Sequence, residues 1–150
     1  MSDTYTAING VLVALINNLW ELEGNAIITE EFKDITNNDM HVIEAIGLNE
    51  AKNMSTIAKK LNITVSSLTT AMNSLVRKGY VERQRSTDDR RVVEVRLTER
   101  GRKAYRHHEE YHMQMVEAAI AEMSQEEIQV LIKMLRKLKV FFETYGEKEK

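Results

Sequence analysis

The chain has 150 residues, with no cysteine, no proline, six glycines and few aromatic residues. Without cysteine there is no disulfide, no thiol redox sensor and no thiolate ligand for a metal. The absence of proline and the small number of glycines suit a mostly helical chain, because both residues interrupt helices. No apolar run is long enough to span a bilayer and no charged-then-apolar leader is visible, so a cytoplasmic location is expected. No glycine-rich phosphate loop appears, nor a serine in a tight turn beside a placed histidine, which weighs against an enzyme. With neither an internal repeat nor a low-complexity linker, a single domain over residues 1–150 is expected.

Acidic residues are scarce where basic ones gather. The net charge is −2, yet residues 77–106 carry eleven basic side chains against five acids, a local +6. The rest of the chain therefore carries −8. Such polarity turns one side of the molecule toward phosphates.

Residues 54–97 organise the reading. Met54, Ile57, Ala58 and Leu61 recur at helical spacing, and Asn62–Ile63–Thr64 then interrupts the pattern with turn and N-cap residues. A second helix follows, with Val65, Leu68, Met72, Leu75 and Val76 expected on its apolar side and Lys78–Gly79–Tyr80 ending it. Two extended runs, Val81–Arg85 and Val92–Leu97, flank a charged turn. Helix, turn, helix and hairpin give a mainly α chain with a small β-hairpin wing, a winged helix-turn-helix.

Opposite the apolar side of the second helix stand Ser66, Thr70, Asn73 and Arg77, with Ser67 and Thr69 nearby. Hydroxyls, an amide and a guanidinium are the groups that bond base edges and phosphates from the major groove. A purely solvated face is the plain alternative, but such a face would more often carry Glu and Lys, which are better helix formers. No acid lies between Thr64 and Lys78. Ser55, opening the first helix, joins the candidate DNA contacts. On the hairpin, Arg83, Arg85, Arg90 and Arg91 flank Asp88 and Asp89; arginines there reach phosphates or a narrow minor groove. Arg85, Arg90 and Arg91 are the candidate wing contacts, with Asp89 fixing the side chain of Arg91. The alternative is a self-neutralising turn.

The run STDDRRVVEVRLTERG (86–101) resembles the signature wing of the MarR transcriptional regulators, and MSTIAKKLNITVSSLTTAMNSLVRKGYVER (54–83) resembles their helix-turn-helix. The resemblance extends over nearly the whole chain. It implies a double-stranded-DNA-binding repressor acting on a palindromic operator, with no cofactor required. The family's oxidation-sensing branch is excluded by the lack of cysteine. More narrowly, EFKDITNNDMHVIEAIG (31–47), TTAMNSLVRKGYVER (69–83) and DRRVV (89–93) resemble the branch that represses fatty-acid synthesis genes. That implies an acyl chain on acyl carrier protein as corepressor.

Both ends carry wide apolar rows. Ile8, Val11, Leu12, Leu15, Ile16, Leu19 and Trp20 line one helix, and Ser124 with Glu127 marks a capping box before Ile128, Leu131, Leu135, Leu138, Phe142 and Tyr145. Packing within one subunit is one reading; a homodimer built from helices at about 5–23 and 98–146, around a winged helix-turn-helix at about 36–97, is the more economical one. Thr36 with Asp39 caps another helix, and Thr98 caps a long one expected to run to about Met123.

His108 and His112, one turn apart on that long helix, have the spacing to share a metal. With Glu23 and His41 they resemble the site of zinc-sensing members of the family, which makes a zinc-responsive repressor the alternative function. The alternative for the histidines is a polar pocket lining. A metal-dependent hydrolase built on His108, His112 and Glu23 is a remote further reading.

Overall fold

The computed structural model describes residues 2–27 and 29–148, with the side chains of Trp20 and of residues 146–148 outside the described set. Trp20, counted above in the apolar row, is therefore not placed. The chain divides into two compact units, one up to Tyr111 and the other from His112 onward.

In the first unit, α1 (Ser2–Ile27) is longer than the sequence spacing indicates. A loop follows whose Phe32 and Ile35 are buried. Thr36 then starts α2 (Asn37–Ile46) through the predicted capping box: Asp39 N–H donates to Thr36 Oγ1 at 3.1 Å, and Thr36 N–H to Asp39 Oδ2 at 3.0 Å. Gly47 ends the helix at φ 74°.

β1 (Lys52–Asn53) leads into α3 (Met54–Leu61), whose N-cap is Asn53. Asn62 closes α3 in the left-handed region at φ 54°, a conformation asparagine tolerates better than most residues. Thr64 then caps α4 (Val65–Arg77), accepting from the Ser67 N–H at 3.1 Å. The apolar side of α4 buries Leu68, Met72 and Leu75, as its spacing predicts, but leaves Val65 exposed. The reason is position: Val65 begins the helix, and the core lies under its later turns.

β2 (Val81–Arg85) and β3 (Val93–Leu97) form the hairpin, and β1 adds a third antiparallel strand on the far side of β3. Val95 sits in the middle, paired to Lys52 on one side and Arg83 on the other, and is fully buried. Ile43, Ile46, Ile57, Leu68, Met72, Leu75 and Tyr80 complete the fully buried centre. Burying side chains of this size stabilises by about 1.5–3 kcal/mol each before entropy is set against it.

The helix α5 (Glu99–Ile120) leaves directly from β3, with the Thr98 hydroxyl accepting from Gly101 N–H at 3.2 Å and donating to the Gly79 carbonyl at 2.6 Å. It ends short of the predicted Met123. In the second unit, α6 (Gln125–Lys148) opens with the predicted box: Ser124 N–H donates to Glu127 Oε2 at 2.7 Å and Glu127 N–H to Ser124 Oγ at 3.2 Å.

The apolar rows at the two ends are only partly covered. On α1, Ile8, Val11, Leu15, Ile16 and Leu19 are exposed and Leu12 is half-buried; on α6, Leu135, Phe142 and Tyr145 are exposed, while Ile128, Leu131 and Leu138 are half-buried. Among the described residues no helix is long and apolar enough to cross a membrane.

A polar network ties the loop before α2 to the end of α4 and the start of α5. The buried Tyr80 hydroxyl donates to Asp34 Oδ1 at 2.5 Å, Arg100 Nη2 donates to the same oxygen at 3.2 Å, and the guanidinium stacks 4.3 Å from the Tyr80 ring centre. Lys78 Nζ donates to Asp39 Oδ2 at 2.7 Å. Burial pushes the Asp34 carboxyl up, but the Tyr80 hydroxyl and the Arg100 charge outweigh it and hold the carboxyl below its ordinary 3.8. Burial and the bond to Asp34 push the Tyr80 phenol well above its ordinary range. The Asp34 shift is downward on folding, so its stabilisation is present above the ordinary pKa and is lost as pH falls through the folded value. Tyr80→Phe is expected to destabilise by about 1 kcal/mol near neutrality. Urea unfolding should show that gap narrowing as pH falls below the ordinary 3.8; a constant gap would mean the bond carries no charge-linked stability.

Candidate nucleic-acid interface

The outer surface of α4 is built from the residues that the helical spacing put there. Ser66, Thr70, Asn73 and Arg77 are exposed, with Ser67 and Thr69 on the flanks and Ser55 exposed at the start of α3. The chain has no Asp or Glu from Ala51 to Val81, so this surface carries no charge that would repel a phosphate.

Some of these groups are already engaged. Thr64 Oγ1 donates to Ser67 Oγ at 2.9 Å, and Thr69 Oγ1 donates to the Val65 carbonyl at 2.8 Å. Arg83 Nη2, from β2, donates to Asn73 Oδ1. Sequence spacing shows which face these residues occupy but not which of their donors are spent inside the protein.

The wing tip is fixed from within. Ser86 N–H donates to the Val92 carbonyl and Val92 N–H to the Asp89 carbonyl, both at 2.9 Å. Arg85 Nη1 donates to the Arg90 carbonyl at 3.1 Å, so Arg85 braces the turn. Asp89 Oδ1 accepts from the Arg91 N–H at 3.0 Å and from its Nε at 3.2 Å, while Oδ2 accepts from Nη2 at 3.4 Å. The backbone N–H of Arg91, then its side chain, hold the Asp89 carboxyl below its ordinary value. Arg90 and Arg91 are exposed.

Of the four metal candidates, Glu23 and His108 come together in the first unit, and Glu44 joins them there. His108 is almost fully buried on α5, with Nε2 3.0 Å from Glu44 Oε1 and 3.6 Å from Glu23 Oε1. The other Glu44 oxygen lies 3.6 Å from His41 Nδ1. Glu44, which sequence reasoning missed, thus bridges His41 and His108. Its signal was the His41-x-x-Glu44 spacing, one turn of α2. His41 also lines a groove with Asn38, Val42, Leu61, Ile63, Ser67 and Ala71, beside α4. His112 is half-buried on α5, in the second unit. Imidazole and carboxylate donors suit a divalent cation chemically, and the 3.0 Å approach of Glu44 to His108 is equally a hydrogen bond.

The MarR family model matches residues 35–93. Among solved structures, Streptococcus pneumoniae FabT in complex with DNA is 42% identical, with a TM-score of 0.84 over 93% of this chain and 98% of that one. The YusO protein from Bacillus subtilis shares the fold at a TM-score of 0.71 and 20% identity, over 92% of this chain and 96% of that one. The HTH-type transcriptional regulator PchR of Bacillus subtilis is 29% identical across 92% of this chain and 89% of its own length. PchR is by name a transcriptional regulator, and the matched family is one of regulators and not of enzymes, which sets aside the hydrolase reading. The chain belongs to the MarR family of transcriptional regulators.

Proposed function

We propose that the chain is a homodimeric repressor that lays α4 in the major groove of double-stranded DNA and sets the hairpin arginines on the flanking duplex. The observation that carries this reading is the acid-free outer surface of α4, lined by hydroxyl, amide and guanidinium groups beside an arginine-tipped wing. The match to pneumococcal FabT, itself solved with DNA, supports it. Ser66, Thr70 and Asn73 read bases, while Ser55, Ser67 and Arg77 hold backbone. Arg90 and Arg91 work at the wing, with Arg85 as brace. The exposed apolar rows of α1 and α6 serve the two-fold partner that a palindromic operator requires.

The regulated genes are those of fatty-acid synthesis, and an acyl chain on acyl carrier protein is the corepressor. Support comes from the resemblance of segments 31–47, 69–83 and 89–93 to repressors of that branch. Fluorescence anisotropy on a duplex from the gene's own upstream region, in chelating buffer, tests both levels. A tighter complex with long-chain acylated carrier supports the corepressor reading. Binding indifferent to the carrier overturns that level alone, and no binding to any duplex at low salt overturns the DNA reading.

A second reading, a zinc-responsive repressor, draws on the buried His108 between Glu23 and Glu44. Metal analysis of protein purified without a polyhistidine tag decides it: stoichiometric zinc supports the reading, and metal-free protein that binds operator overturns it.

A further inference from the structure

We infer that Val65 and Thr69 form a methyl-presenting strip that reads the C5-methyl group of thymine; this rests on the DNA-reading proposal above. Val65 has the helical spacing of a core residue, yet it is 45% exposed while Leu68, Met72 and Leu75 on the same helix are fully buried. Helix propensity does not explain it, because a β-branched residue is a mediocre helix former. Thr69 stands one turn further along the same flank, also exposed. Its hydroxyl hydrogen is spent on the Val65 carbonyl at 2.8 Å. That bond pins the side chain, so what Thr69 adds beside the two Val65 methyls is its own γ-methyl.

The surroundings name the occupant. No acid lies between Ala51 and Val81, so the strip stands in a surface free of negative side chains. An apolar strip inside a surface shaped for an anion fits a ligand that is anionic overall but carries an exposed methyl. In the major groove only thymine offers one. Thr69, expected from sequence to hydrogen-bond the DNA, thereby acquires an apolar role, and Val65 becomes a specificity residue that the helical spacing had assigned to the core.

The test is a methyl deletion on the DNA side. An operator duplex is first selected from a random pool with the intact protein. Each thymine is then replaced singly by deoxyuridine and affinity is measured by anisotropy. One thymine per half-site is expected to lose about fourfold on replacement, and about fifteenfold when both half-sites are changed. Val65→Ala and Thr69→Ser should bind the parent duplex more weakly and lose this discrimination. Thr69→Val, which keeps the methyl, should retain it. Thermal melting verifies that each variant is folded. Sequence-selective binding with no deoxyuridine effect, or the same effect in Val65→Ala and Thr69→Ser, overturns this inference alone. A selection that returns no sequence overturns the DNA reading and the inference with it.

Discussion

Gly101→Ala is expected to lower the melting temperature by roughly 10 °C, the largest effect of adding a methyl at any of the described glycines. A Cβ at Gly101 would sit 2.1 Å from the Tyr80 carbonyl oxygen, 3.1 Å from its carbon and 3.2 Å from Leu97 Cβ. The obstacle is backbone, and that backbone is held: the same carbonyl accepts the Thr98 N–H at 3.0 Å, and the Tyr80 side chain is fully buried. No rotamer change relieves the clash, so the start of α5 must move off the sheet. Overpacking of this kind costs about 3 kcal/mol, and a domain of this size loses roughly 2–4 °C per kcal/mol. Differential scanning calorimetry measures it. A melting point within about 2 °C of wild type would show that the junction of β3 and α5 yields easily.

Arg91→Ala is expected to weaken operator binding at least about tenfold near physiological salt, since it deletes a charge-assisted contact in each half-site. The plot of log affinity against log salt should flatten by about one unit for each wing. The side chain of Arg91 is 91% exposed and contributes nothing to the core, so the fold should be unaffected. Asp89→Ala separates charge from orientation. It keeps both arginines but removes the carboxylate that holds Arg91 through three hydrogen bonds. Affinity should fall a few-fold with the salt slope unchanged, because no phosphate contact is lost. An Arg91→Ala slope equal to wild type would remove the wing from the interface, and an unaltered Asp89→Ala affinity would reduce the Asp89 bonds to turn geometry.

What could be read from the sequence was local. Both capping boxes, Thr36 with Asp39 and Ser124 with Glu127, are four-residue patterns whose bonds close within one turn, and both form. The buried row Leu68, Met72 and Leu75 followed from helical period. The features that escaped depend on distant partners. β1 is two residues long, too short to show a period, and exists because Lys52 and Asn53 pair with Val95 and Glu94. The Tyr80–Asp34–Arg100 network joins positions 46 and 66 residues apart. Glu44 is one acid on a short helix, and only the arrival of α5 makes it a partner of His108. Val65 shows a further limit, since period gives the side a residue occupies but not whether the core extends beneath it.

The bond from Arg83 to Asn73 bears on how the protein would read its site. An asparagine that reads adenine needs both ends of its amide, the oxygen to accept from N6 and the nitrogen to donate to N7. Here Arg83 occupies one lone pair of that oxygen and leaves the other able to accept. The bond also settles which end of the amide is the oxygen. Were Asn73 to read adenine as proposed, its amide would meet the groove already turned, with no flip left to make at the moment of contact. Arg83 would then act as the keeper of that orientation, and a wrong base would be refused by a side chain that cannot turn to suit it.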